Sequence, residues 1–109
     1  MRKEDSKYVE HILGAISKIE KYLKGYDFAR FSKTDILIDA VMRELEIIGE
    51  ASNRLSDEFY NKTPEIPWSD IIGMRNKLIH DYFGVNLNIV WDTTQRNLKE
   101  LKKFLRKVL

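Results

Sequence analysis

The 109-residue chain has no cysteine, two prolines, five glycines and two histidines. Without cysteine there can be no disulfide scaffold, zinc ribbon or thiol nucleophile. His11 and His80 lie far apart in sequence, so no metal centre is expected, nor any other cofactor. Charge of one sign is also lacking: 19 basic against 17 acidic residues leave a formal net charge of +2. That balance is too even for phosphate binding through bulk charge, so any nucleic-acid site must be local. No stretch approaches the ~20 apolar residues of a membrane span. The start, "MRKEDSKYVEHILG", lacks the apolar run of a signal peptide. A cytoplasmic protein with no membrane partner is the expectation.

The composition, 43% hydrophobic and 33% charged, fits one domain over residues 1–109 with a modest core. Glycine and proline fall in short joints, at Gly25, at Pro64 and Pro67, and at Gly84. Between the joints everything reads helical. From about Asp5 to Lys24, Val9, Ile12, Leu13, Ile16, Ile19 and Leu23 recur at three- and four-residue steps, the mark of one amphipathic helix with His11 on its wet side. Thr34 is placed to cap a long second helix reaching Phe59 or Tyr60, with Leu37, Val41, Leu45, Ile48, Leu55 and Phe59 as its seam. Ile36, Ile38, Met42 and Ile47 widen that seam, so the helix is either central or turned toward a second subunit.

A third helix is expected from near Pro67 to Gly84. A fourth, capped by Asn86 or Asn88, carries Trp91, Thr94, Leu98, Leu101, Leu105 and Val108 on one side. Its outer side, with Lys99, Lys102, Lys103, Arg106 and Lys107, reads as a solvated face with charge suited to a helix C-terminus. No strand or internal repeat is evident. The expected architecture is an all-α up-down bundle of four main helices, with room for a short fifth near Phe28.

One charge is out of place. At roughly 100° per residue, Arg75 comes about 40° from Ile71, within the stripe formed with Trp68, Leu78, Ile79 and Tyr82. Burying an unpaired guanidinium costs several kcal/mol, so Arg75 needs a carboxylate, an anionic ligand or a path to water. Glu44 is misplaced in the same way on the second helix, and it or Glu50 could orient Arg75. A buried ion pair with no chemistry would satisfy the same pattern. Asn76 and His80, four apart, share one face bordering the stripe, and with Arg75 could converge on a phosphate. His80 sits near the helix end, where the dipole favours its imidazolium and where it could exchange protons near neutrality. Tyr82 reads from its spacing as a half-buried core tyrosine.

The string "RNKLIHDY" resembles the RxxxxHxY signature of the HEPN superfamily in its HepT-like branch. "LEIIGEASNRLSDE" and "PEIPWSDIIGMRNKLIHDYFGVNLNIVWDT" resemble that branch almost throughout residues 45–94. The resemblance implies a HEPN-like helical homodimer acting as a metal-independent endoribonuclease toxin on RNA. It further implies a type VII toxin–antitoxin pair with a minimal nucleotidyltransferase, MntA, that neutralises the toxin by AMPylation. By position, Arg75 and His80 would be catalytic, Asn76 the polar residue beside the arginine, and Tyr82 the modified hydroxyl. A two-fold dimer would bring two His80 and two Arg75 to one cleft, enough for a base, an acid and a cation. In a regular helix His80 and Tyr82 point to nearly opposite sides, so the helix must unwind before Gly84 or Tyr82 must reach the cleft at its rim. The alternatives are a non-catalytic subunit presenting nucleotide or substrate to a nucleotidyltransferase, and a helical dimer whose polar motif only stabilises its interface.

Overall fold

A computed structural model describes residues 1–80 and 86–109, with the side chains of Arg75, Lys77, Leu78, Ile79 and His80 also outside the described set. The described residues form an all-α bundle with no strand. Helix α1 spans Lys3–Leu23 and buries Val9, Ile12, Ala15, Ile16, Ile19 and Leu23. Glu4 and Asp5 in its first turn complement the helix dipole. It stops ahead of Gly25, whose φ of 81° is a left-handed turn conformation that glycine adopts without strain.

The short fifth helix exists: α2, Phe28–Phe31, is capped by Asp27, whose carboxylate accepts from Arg30 N at 2.8 Å. Phe31 is fully buried. Phe28 and Phe31 lie with ring centroids 6.3 and 5.3 Å from that of Trp91, fastening α2 to the last helical run. Thr34 stands at the N-cap of α3, Asp35–Asn53, but its hydroxyl donates back to the Arg30 carbonyl at 2.7 Å and caps nothing.

The second helix is shorter than its apolar spacing predicts. It ends at Asn53, and a separate α4 runs from Asp57 to Lys62. The break is set from far away in sequence. Ser56 Oγ accepts from Phe59 N at 3.1 Å and donates to Asp5 Oδ2 at 2.6 Å, while Ser56 N donates to Asp5 Oδ1 at 2.9 Å. Serine competes well with helical backbone bonds when a cap is available, and here a buried carboxylate from α1 fixes it in that role. Leu55 and Phe59 still reach the core, so the apolar pattern runs straight through the break.

Thr63 then accepts from Trp68 Nε1 at 2.8 Å, and α5 follows from Trp68 to His80. The predicted stop at Gly84 lies outside the described residues. Asn86 caps α6, Leu87–Asp92, by accepting from Asn88 N and Ile89 N. A π-helical turn at Thr93–Asn97 leads into α7, Leu98–Val108. Within that turn Thr94 Oγ1 donates to the Trp91 carbonyl, and Thr93 Oγ1 donates to the Ile89 carbonyl, which also accepts from Thr93 N.

Helix α3 is the central element, flanked by α1 and α5, and α7 packs on α1. Its broad girth fits that central place. Ile38, Met42 and Ile47 pack partly buried against the core, whereas Ile36 is 84% exposed.

Candidate active site

Helix α5 places the signature. Pro67 supplies the carbonyl that accepts from Ile71 N at 3.1 Å, so the proline stands just before the helix, where its missing N–H costs nothing. Trp68 is buried against Phe59 and Tyr60, with ring centroids 5.9 Å apart in both pairs. That contact fixes the start of α5, and the helix then carries the backbone of Arg75, Asn76 and His80 as one unit. Asn76 and His80 share a face at i and i+4, while Arg75 is offset by about 140° from His80 around the axis. Asn76 is exposed. The side chains of Arg75 and His80, and the whole of Tyr82, fall outside the described residues, as does any path between His80 and Tyr82.

The two carboxylates expected to support Arg75 sit in different surroundings. Glu44 is 6% exposed on α3, the helix against which α5 packs. It makes no hydrogen bond or ion pair with a described residue. Glu50 is exposed and lies 3.6 Å from Arg54 one turn along α3, an i,i+4 surface pair. His11 is exposed beside Tyr8, with ring centroids 5.9 Å apart, in keeping with its expected place on the wet side of α1.

On its side away from α3, α5 borders a groove of about 700 Å³ that separates it from α6 and α7. Ile66, Ile71, Met74, Leu101 and Phe104 supply apolar walls, and Glu65, Asp70 and Glu100 supply carboxylates. A Cβ added to Gly73, which also lines the groove, would meet nothing within 4 Å. Of these groove residues the sequence named Ile71 and Leu101, each as part of its own helix's apolar stripe, and none of the three carboxylates. No local spacing announces that α5, the segment before it and α7 meet here. Among the described residues no group of His, Cys, Asp or Glu side chains is arranged to hold a metal ion, and no helix is long and apolar enough to cross a membrane.

The family described as "Ribonuclease HepT-like" matches residues 12–108. The chain belongs to this family. Among its HepT-like relatives is the "Putative RNase TTE0752" of Caldanaerobacter subterraneus, 45% identical over 102 residues, covering 94% of this chain and 91% of that protein. The "Probable ribonuclease HepT" of Thermococcus cleftensis is 40% identical over 102 residues, covering 94% and 93%. A third, the "Gamma-glutamylcyclotransferase and putative RNase MJ0434" of Methanocaldococcus jannaschii, is 40% identical over 109 residues, which span the whole of this chain but 49% of that protein. No solved structure gives a significant match to this HepT-like chain. The HEPN-like helical fold and the family expected from "RNKLIHDY" and its flanks are thus established.

Proposed function

We propose that the chain is an endoribonuclease that cleaves RNA without a metal ion, using Arg75 and His80 from two copies of the chain. Membership of the HepT-like family carries this reading, supported by the unbroken order Arg75, Asn76, His80, Tyr82. The chemistry is transfer of the phosphodiester to the neighbouring 2′-oxygen. The 2′-oxygen forms a bond to phosphorus and the bond from phosphorus to the 5′-oxygen breaks, leaving a cyclic phosphate and a free 5′-hydroxyl. One His80 accepts the 2′-hydroxyl proton and the partner subunit's His80 supplies a proton to the departing 5′-oxygen. The Arg75 guanidinium offsets the charge that builds on the phosphorane oxygens. Asn76 orients the phosphate, and Glu44 or Glu50 holds Arg75.

In this reading the protein is the toxin of a type VII pair. Its partner is an MntA-type nucleotidyltransferase that moves AMP from ATP onto the Tyr82 oxygen, releasing pyrophosphate and closing the cleft to RNA. The test is cleavage of RNA by purified protein in excess chelator, with His80→Ala and Arg75→Ala beside it. Both variants should stay folded, with the helical circular dichroism of the wild type, and lose cleavage. Intact wild-type cleavage by either variant would end the proposal.

A further inference from the structure

The side of α7 turned from the core bears Lys99, Lys102, Lys103, Arg106 and Lys107, with Glu100 as the helix's one carboxylate. Glu100 lines the groove and so faces elsewhere. Five pairs of these cations stand three or four residues apart: Lys99 with Lys102 and with Lys103, Lys102 with Arg106, and Lys103 with Arg106 and with Lys107. Like charges at that spacing repel one another and weaken a helix. The helix dipole accounts for Arg106 and Lys107 in the last turn. It gives no reason for Lys99 and Lys103, which lie inside the helical run from Leu87 to Val108.

The row does not end at α7. Lys102 Nζ lies 2.8 Å from Glu20 Oε1, which joins this face to α1. Within one turn of that pair stand Lys24 at the end of α1 and Lys99 and Arg106 on α7, with Lys21 and Lys103 beside them. All five are exposed and none has a carboxylate partner among the described residues. A chain that is nearly neutral overall therefore concentrates free positive charge along one seam, while the groove holds Glu65, Asp70 and Glu100.

We propose that the α1–α7 seam is a track for the phosphate backbone of single-stranded RNA, with Lys24, Lys99 and Arg106 as its principal contacts. The proposal rests on the ribonuclease reading and adds to it the surface along which substrate is held. Acidic groove and basic seam together steer a polyanion to one side of the molecule. A membrane surface is a poorer fit, because a helix lying on lipid needs an apolar side to insert and Leu98, Leu101 and Leu105 are spent in the core. Contacts of this kind hold RNA in place without reading its sequence.

The test is fluorescence anisotropy of a labelled oligouridylate against salt concentration, for the wild-type chain and for Lys24→Ala/Lys99→Ala/Arg106→Ala. For single strands log K falls with log salt at about 0.7 per phosphate neutralised, so three lost contacts should flatten the slope by about 2. Affinity at low salt should fall at least tenfold, and KM for cleavage should rise with kcat unchanged. The three positions are exposed, and equal melting temperatures would confirm that the variant folds. An unchanged slope, or wild-type KM in the variant, overturns the seam while leaving the ribonuclease standing. Seam-dependent binding with no cleavage by the wild type leaves the seam standing and removes the ribonuclease. Displacement by polyglutamate as effective as by unlabelled RNA would assign the surface to an acidic protein and refute the RNA track.

Discussion

Replacing Asp5 with alanine tests how the bundle is closed at the end away from α2. Asp5 is 2% exposed and its two oxygens accept from the amide and the hydroxyl of Ser56, fifty-one residues later in the chain. A hydrogen bond to a charged acceptor contributes about 1.5–3 kcal/mol net, and a buried donor left without a partner costs about 1–3 kcal/mol. Ser56 is only half-buried and its hydroxyl can turn to water. The expected loss is therefore about 3 kcal/mol, below the sum of two such bonds. For a domain of this size that lowers the melting temperature by about 15 °C. Urea unfolding followed by circular dichroism gives the free energy directly. Ser56→Ala and the double variant complete a cycle in which the coupling between the two sites should be about 1.5 kcal/mol. Additive losses, or a loss under about 0.5 kcal/mol for Asp5→Ala, would refute the assignment of the α3–α4 break to this contact.

Glu44→Leu tests whether this buried carboxylate holds Arg75: removing one partner of a buried ion pair leaves the other charge uncompensated, so the melting temperature should fall. If Glu44 holds Arg75, the same variant should lose at least tenfold in RNA cleavage (about 1.4 kcal/mol), and full cleavage would remove Glu44 from the site. Tyr60 donates its hydroxyl to the Ser52 carbonyl at 2.5 Å, and burial first, then Asp57 and Asp5, hold its pKa above the ordinary 10.0. The unfolded chain releases that proton first, so this contribution is intact below pH 10.0 and lost as pH rises toward the higher folded value. Tyr60→Phe should flatten the alkaline fall in stability, and an unchanged pH profile would contradict this. Co-expression with an MntA-type enzyme should add the mass of one AMP to the wild-type chain and none to Tyr82→Phe; equal added mass in both would place the modification elsewhere.

The parts legible in the sequence are those whose cause is local. The α1 stripe and the Leu98, Leu101, Leu105 stripe of α7 repeat at the helical period, and both are buried except for Leu13, which sits half-buried at the edge of the α1 stripe. The Asn86 cap and the short α2 were visible for the same reason. The end of α3 was not, because the residue that ends it is Asp5 on another helix, while Leu55 and Phe59 keep up the apolar spacing beyond the break. The groove was hidden because its walls come from helices far apart in sequence. At the candidate site, the helix bearing Arg75, Asn76 and His80 was readable from its stripe and its flanking prolines. The buried place of Glu44 was readable from its register on α3. The pairing of Glu50 with Arg54 is an i,i+4 contact that could have been named and was not.

The π-helical turn at Thr93–Asn97 gives this chain a place where it can change length. A π turn takes up one residue more than an α turn, while the helix on either side keeps its register. Trp91 against Phe31, and Leu98, Leu101 and Leu105 in the core, hold their places on one rod across it. Deleting one residue from the turn would restore ordinary helix geometry and leave those contacts standing. The same deletion inside α7 would turn every residue beyond it by about 100° and take Leu105 out of the core.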